Sequence, residues 1–218
     1  MNPHHDILKA AGTAVICDVF DTLGLLPPVL DNALFHVAQP AAFVGPAYTV
    51  TGKLATFSGG DRLKLEAIDR MPAGMVGLWA GQDAAGVCCF GDLLASSMRA
   101  RGCTAVVVDG GVRDVQILQD LGIPILARYR TPAQGVGRWK VTEFQTPVQV
   151  RGALREWLTI SPGDLIVGDA DGVIAIPRDL VEEITPRVQR WSETESSSRA
   201  EIIGGLPLLE ALAKYGHL

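Results

Sequence analysis

Two short segments of this 218-residue chain carry groups that could act together on a small anionic molecule. The first is Gly91-Asp92-Leu93-Leu94, in which a glycine and an aspartate stand before a run of helix formers. The second is Arg113-Asp114, separated from Asp92 by twenty residues. Together they offer a helix start for an anion, one fixed cation, and two carboxylates for proton transfer or metal binding.

The elements around these segments alternate between helix and strand. Residues 93–101 follow an aspartate suited to N-capping and stop at Gly102, which predicts a short helix capped by Asp92. Residues 104–109 predict a strand buried on both faces, with a turn over 110–112. Asp114 then opens a second predicted helix over 115–121, and residues 123–128 predict the next strand.

The lengths of these elements predict that both segments lie at one edge of a sheet. A nine-residue helix advances about 14 Å at about 1.5 Å per residue, and a five-residue strand returns about 16 Å at about 3.3 Å per residue. Asp92 and Asp114 should therefore meet at the edge where open α/β sheets place their ligands. The backbone N–H groups of Leu93, Leu94 and Ala95 could hold a carboxylate or phosphate there.

Each charged residue also has a purely structural interpretation. An aspartate at a helix start is usually a cap that stabilises the helix by roughly 1 kcal/mol, and an arginine beside it is usually a solvated surface charge. The combination of Asp92, Arg113 and Asp114 at one sheet edge favours chemistry over these interpretations.

The same segments resemble a known family. Residues 91–95, the twenty-residue interval, residues 110–114 and the later segment 162–173 are similar to the RraA-like family. That family includes the class II 4-hydroxy-4-methyl-2-oxoglutarate and 4-carboxy-4-hydroxy-2-oxoadipate aldolases. The resemblance implies an α/β fold, a three-layer β/β/α swivelling-type domain, in which residues 1–218 form one domain. A helical C-terminal tail over 179–218 is expected at a subunit interface.

The resemblance also implies a role for each residue of the two segments. In the aldolases the counterpart of Asp114 holds a divalent metal largely through water, and that of Arg113 contacts the keto and carboxylate oxygens of the substrate. Main-chain groups from Gly91 to Leu94 bind the pyruvyl carboxylate, and Asp92 positions a water for proton transfer. A C-terminal glutamate of a neighbouring subunit approaches the metal waters, and Glu195 best matches its setting here, although Glu195 and Arg199 could also be an ordinary surface pair.

Retro-aldol cleavage of a 4-hydroxy-2-oxo acid explains why such groups are needed together. The reaction leaves pyruvate enolate, so its barrier falls where positive charge is fixed near the developing oxyanion. A base must take the C4 hydroxyl proton and an acid must protonate the enolate carbon. We expect Mg²⁺ or Mn²⁺ as cofactor, because oxygen ligands and waters suit hard divalent cations. The four cysteines lack zinc-ligand spacing and are predicted to be buried small hydrophobes.

Composition limits the partners. The net charge of −5 gives no basic footprint for nucleic acid, so we expect no nucleic-acid partner. The resemblance implies a small-molecule 2-oxo acid as substrate. The N-terminus lacks signal-peptide features, and no apolar run reaches about 18 residues, which predicts a cytoplasmic protein without a membrane span. A mean hydropathy of +0.23 suggests burial between subunits, and the resemblance implies a homotrimer or a dimer of trimers.

Three functions are compatible with these observations. The intact Asp114 favours a metal-dependent pyruvate aldolase that also decarboxylates oxaloacetate, since both reactions pass through the same enolate. The second is a metal-free regulatory or protein-binding paralogue, in which Arg113 and Asp114 are only structural. The third is another lyase of 2-oxo or hydroxy acids on the same scaffold, with a different binding region for the far end of the substrate around residues 79–82.

Overall fold

A computed structural model describes residues 2–81 and 84–216 of the chain. Within these ranges the elements follow one another as α1 Pro3–Thr22, β1 Phe35–Ala38, β2 Phe43–Leu54, α2 Arg62–Asp69, β3 Val76–Ala80, β4 Cys88–Phe90, α3 Asp92–Ala100, β5 Ala105–Val112, α4 Val115–Asp120, β6 Ile125–Arg130, β7 Trp139–Phe144, β8 Val148–Arg151, β9 Trp157–Ile160, β10 Leu165–Gly168, β11 Val173–Ile176, α5 Val181–Ile203 and α6 Leu208–Tyr215.

A large mixed sheet forms the centre of the domain. Its strands follow the order β1-β6-β5-β3-β2-β10-β11, with β4 also paired to β5 and β7 to β2. The pairs β2–β3, β3–β5, β4–β5 and β5–β6 are parallel, whereas the pairs with β1, β7, β10 and β11 are antiparallel. The two remaining strands, β8 and β9, form a separate antiparallel hairpin. The parallel centre therefore directs the carboxyl ends of β4 and β5 to one edge.

Strand β5 shows how the layers are assembled. All eight of its residues are buried, because its two faces pack against different layers. Val106 and Val108 belong to the apolar cluster shared with α2, α3 and α4. Ala105 and Val107 face the opposite way, into the cluster shared with the hairpin of β8 and β9. The structure confirms the predicted three-layer β/β/α domain and the prediction of a strand buried on both faces.

Helices α1 and α5 pack together outside this sandwich, over β10 and β11. Helix α1 kinks at Gly12, whose φ of 87° breaks the helical backbone. Thr13 starts its second part, and the Asp169 carboxylate accepts hydrogen bonds there from the Thr13 N–H (2.7 Å) and hydroxyl (2.8 Å). This second start agrees with the sequence, which places Thr13 directly after a glycine.

The C-terminal region is helical, as predicted. Helices α5 and α6 contact each other, and α6 leaves Leu208 and Leu209 exposed. The position of this tail at a subunit interface remains a prediction. Among the helices of the described chain, none has both the length and the apolar character that a membrane crossing requires.

Two local predictions were wrong. Residues 110–112 continue β5 instead of forming a turn. Side chains there would collide with neighbouring strands, since a Cβ at Gly110 would lie 2.8 Å from Cys89 Sγ and one at Gly111 would lie 2.7 Å from Val87 O. Gly110 and Gly111 therefore allow neighbouring segments to approach the β5 backbone closely. The N-cap of α3 is Gly91, not Asp92, which is the first helical residue.

Candidate active site

A cavity of ≈ 270 Å³ lies at the carboxyl ends of β4 and β5. Its lining includes Gly91, Asp92, Leu93 and Leu94 from the start of α3, together with Arg113 and Asp114 from the segment after β5. The structure thus brings together the two segments that the sequence placed at one sheet edge. Their individual chemical roles remain predictions.

The pairing of β4 with β5 explains this convergence. Phe90 lies opposite Val112 in the parallel register, and the Arg113 N–H donates to the Phe90 carbonyl at 3.2 Å. The residues that follow, Gly91 on one strand and Arg113 on the other, are therefore neighbours. A side chain at position 91 would place its Cβ 2.8 Å from Asp114 Oδ2, so the present arrangement requires glycine.

Helix α3 begins without a side-chain cap. Its N-cap Gly91 has an extended backbone (φ −157°, ψ −171°) and no side-chain cap hydrogen bond is formed there. The first N–H groups of any α-helix lack intrahelical acceptors. The Asp92 N–H lies 3.4 Å from Asp114 Oδ2, a weak contact, and Leu93 and Leu94 line the cavity. The helix start can therefore receive an anionic group from the cavity.

Asp114 has an unusual backbone conformation. Its φ of 60° and ψ of 36° lie in the left-handed region, which is uncommon for residues other than glycine. Although Asp114 occupies the N-cap position of α4, its side chain does not cap that helix. The carboxylate instead lies 3.3 Å from Arg113 Nε and is 31% exposed. Strain of this kind is found at functional sites, and here it directs a carboxylate to the cavity.

The residues of this site fit a metal that keeps most of its waters. Among the described residues, no group of three or more histidines, cysteines, aspartates or glutamates is arranged to hold a metal ion. Asp114 is a partly exposed carboxylate at the cavity wall. Because Mg²⁺ often binds through one or two carboxylates and several waters, Asp114 could hold such an ion.

Glu195 is not brought to the cavity within one chain. It lies on α5, pairs with Arg199 at 3.2 Å, and its side chain is 24% exposed. Helix α5 packs on α1 and α6. A contribution of Glu195 to the site requires a neighbouring subunit and remains a prediction.

Two charged residues of the cavity were not recognised in the sequence. Lys64 and Asp61 line it from the start of α2, and both are buried. A signal was present, since Lys64 precedes the buried Ala67 and Ile68 by three and four residues and so falls on the core-facing stripe of α2. A lysine in such a stripe needs a buried partner or a ligand.

The cysteines are packing residues, as predicted, with one exception. Cys88, Cys89 and Cys103 are buried, whereas Cys17 is only partly buried. Cys89 lies in the cavity wall, and burial raises its pKa to about 12. Its thiol is therefore protonated at neutral pH and is not a nucleophile.

The region around residue 79 supports the cavity from behind. Trp79 is fully buried and packs edge-on against Phe90, with ring centroids 5.3 Å apart. It does not line the cavity, so its side chain cannot contact the far end of a substrate there. Gln82, the last residue of the suspected region 79–82, lies outside the described residues.

Comparisons with known proteins identify the family of this chain. The family model described as RraA-like, Aldolase/RraA, matches residues 13–175. A Halalkalibacterium halodurans protein named "Putative 4-hydroxy-4-methyl-2-oxoglutarate aldolase" is 32% identical over 193 residues, covering 86% of this chain and 83% of that protein. Protein DlpA of Legionella pneumophila is 27% identical over 93% of this chain, which spans only 32% of its length.

A solved structure has the same fold. It is RraAS2 of Streptomyces coelicolor, described as an unusual member of the RNase ES inhibitor RraA protein family. The TM-score is 0.79 at 24% identity, over 91% of this chain and 96% of that one. At this identity the likeness extends to the fold alone.

Proposed function

This chain belongs to the Aldolase/RraA family, and we propose that it is a divalent-metal-dependent aldolase that releases pyruvate from 4-hydroxy-2-oxo acids. The substrate type is that of 4-hydroxy-4-methyl-2-oxoglutarate, with oxaloacetate decarboxylation as a side activity. One observation carries the proposal: the uncapped start of α3 faces the same cavity as Arg113, Asp92 and Asp114. The name of the Halalkalibacterium relative supports the same reaction.

In this proposal the pyruvyl half of the substrate binds at the start of α3. Its carboxylate accepts hydrogen bonds from the N–H groups of Leu93 and Leu94, which lack acceptors within the helix. The small Gly91 lets the substrate approach the backbone closely. Arg113 lies beside this position, because its strand pairs with the strand that ends at Phe90, and its guanidinium binds the keto oxygen.

Cleavage breaks the C3–C4 bond of the substrate. The C4 hydroxyl loses its proton and becomes the carbonyl of the leaving product, while the bonding electrons move into the C2–C3 enolate. The Arg113 guanidinium stabilises the negative charge that develops on the C2 oxygen. Asp114 and water would hold Mg²⁺ or Mn²⁺, which when bound adds further positive charge to the cavity.

Asp92 is the proposed proton-transfer group. It is half-buried at the first helical position of α3, within the cavity lining. Acting through a water, it takes the C4 hydroxyl proton and returns a proton to C3, which completes the methyl group of pyruvate. We further propose that Glu195 of a neighbouring subunit contacts the metal-bound waters in a trimeric assembly.

The first test is metal-dependent pyruvate release. Purified protein is incubated with 4-hydroxy-4-methyl-2-oxoglutarate or oxaloacetate, and pyruvate is measured by coupling to lactate dehydrogenase. We expect activity with Mg²⁺ or Mn²⁺, loss of activity with EDTA, and recovery when excess metal is restored. Equal activity in EDTA would exclude a metal role.

The competing function is a metal-free regulatory or protein-binding role. In that case the pair of Arg113 and Asp114 only stabilises the segment before α4. Absence of pyruvate from both acids, with and without metal, would favour this function. Pyruvate release from oxaloacetate alone would instead favour a different 2-oxo acid lyase on the same scaffold.

A further inference from the structure

Lys64 is a buried lysine in the wall of the proposed active site. The residue is 8% exposed, yet its side chain lines the same cavity as Arg113. The two cations come from different parts of the fold, because Lys64 lies on α2 whereas Arg113 follows β5. The cavity therefore holds a second positive charge that the proposed cleavage does not use.

The charge of Lys64 is only partly matched within the protein. Its Nζ lies 3.7 Å from Asp61 Oδ2, which is an ion-pair distance but too long for a hydrogen bond. The Asp61 oxygens are engaged elsewhere: Oδ1 accepts the Lys64 backbone N–H at 3.3 Å, and Oδ2 accepts the Val141 N–H at 2.8 Å. A lysine ammonium carries three donors, and burying them without acceptors is costly.

The position of the ammonium is fixed by its surroundings. The Asp61 carboxylate is held by two backbone N–H groups, and the fully buried Trp139 presents its ring 5.0 Å from Lys64 Nζ. An ammonium over an indole ring is stabilised by cation–π attraction. Lys64 is thus held in one place beside the cavity.

From this arrangement we infer that Lys64 binds the distal carboxylate of the substrate and makes the protein selective for 2-oxo acids with two carboxylates. The inference rests on the proposed function for the pyruvyl end, which binds at α3 and Arg113. An anionic oxygen would provide the acceptor that Asp61 does not, and it would balance a charge inside a mostly apolar wall. A ligand with an uncharged distal end would bind less well, because it would bury the Lys64 ammonium without providing a hydrogen-bond acceptor.

The test compares two stable five-carbon ligands that differ only at the distal end. 2-Oxoglutarate ends in a carboxylate and 2-oxopentanoate ends in a methyl group, and neither carries the 4-hydroxyl group needed for cleavage. Binding of each is measured by calorimetry at saturating Mg²⁺. We expect the wild type to bind 2-oxoglutarate about 10-fold to 100-fold more tightly, as for a hydrogen bond to a charged group.

Substitutions assign this preference to one side chain. Lys64→Met should reduce it to below about 3-fold by weakening 2-oxoglutarate binding alone, whereas Lys64→Arg keeps the charge and should retain part of the preference. Lys140→Met is the matched control, because Lys140 is an exposed lysine 5.5 Å from the Phe57 ring and does not line the cavity. It should keep the wild-type preference. Thermal unfolding of each variant verifies that it is folded.

Several results would overturn the inference. Equal weakening of both ligands by Lys64→Met would mean that Lys64 supports the pyruvyl end or the fold. An unchanged preference would mean that the distal carboxylate binds elsewhere. Trapping of a Lys64 adduct by borohydride in the presence of pyruvate would assign a covalent role instead.

The binding test is independent of catalysis. If Lys64 sets the preference for 2-oxoglutarate but no 4-hydroxy-2-oxo acid is cleaved, the aldolase proposal fails while the binding assignment holds. If cleavage is observed but the preference for 2-oxoglutarate survives in Lys64→Met, the aldolase proposal holds while the assignment of Lys64 to the distal carboxylate fails.

Discussion

The substitution Gly91→Ala tests the geometry of the site most directly. Alanine adds one methyl group at the N-cap of α3, where the ideal Cβ would lie 2.8 Å from Asp114 Oδ2 and 3.4 Å from Arg113 Cγ. The backbone itself tolerates the change, because φ of −157° and ψ of −171° are extended values that any residue adopts. The added methyl group would therefore displace the Asp114 carboxylate without straining the backbone at position 91.

The size of the effect follows from these distances. Ordinary contact begins at 3.4 Å, so the carboxylate must withdraw by about 0.6 Å, the difference between 3.4 and 2.8 Å. Its contacts with Arg113 Nε at 3.3 Å and Asp92 N at 3.4 Å are already long. A displacement approaching 1 Å at a reacting site can cost on the order of 10²-fold in rate. Stability should fall by no more than about 1 kcal/mol, the usual cost of a poorer N-cap.

The assay is metal-dependent pyruvate release, measured with the melting temperature of each variant. Gly60→Ala is the control, since Gly60 lines the same cavity but a Cβ there has no heavy atom within 4 Å. We expect Gly91→Ala to lose between about 10-fold and 100-fold in kcat/KM and Gly60→Ala to stay near the wild type. If Gly91→Ala is folded and as active as Gly60→Ala, the position of the Asp114 carboxylate does not matter for the reaction.

Two further substitutions test the charged groups. Arg113→Ala should lower turnover on the order of 10²-fold or more, because it removes the charge proposed to stabilise the enolate; near-normal turnover in a folded protein would make Arg113 a surface residue. Glu195→Gln should raise the metal concentration required for half-maximal activity by about 10-fold, as for residues that orient metal waters. Glu183→Gln is the control, because it disrupts a similar pair with Arg187 on α5, at 3.4 Å, and should not change the metal requirement. Identical metal titrations for the two variants would show that Glu195 only forms a surface ion pair.

The sequence predicted the edge of the sheet where the site lies from the order and expected lengths of the elements. The predicted helix and strand have similar lengths, about 14 Å and about 16 Å, which places Asp92 and Asp114 on the same side of the domain. The observed β5 is longer, with eight residues, and its last residues pair with β4 at that same edge. The lateral distance between them depends on which strands pair. The pairing of β4 with β5 is a tertiary contact, and a three-residue strand such as Cys88–Phe90 gives little signal of its own.

The glycines show a second limit of sequence reasoning. Gly110 and Gly111 favour a turn when considered alone, yet they continue β5 because neighbouring strands approach them too closely for a side chain. The sequence reports that a position tolerates glycine but not which property of glycine is used. Lys64 shows the converse, since its place on the buried stripe of α2 was visible in the spacing but became meaningful only once the cavity was seen beside it.

The conformation of Asp114 joins these observations into one physical account of the site. A left-handed non-glycine residue costs of order 1–3 kcal/mol, and an aspartate with ordinary φ and ψ could instead cap α4. Asp114 does not cap α4 and has a strained backbone, and Gly91 has no side chain with which to cap α3. Both losses leave polar groups directed at the same cavity: a carboxylate from one helix start and free N–H groups from the other. Neither arrangement gives its helix a side-chain cap, and the proposed binding of an anionic ligand and a divalent metal would account for both.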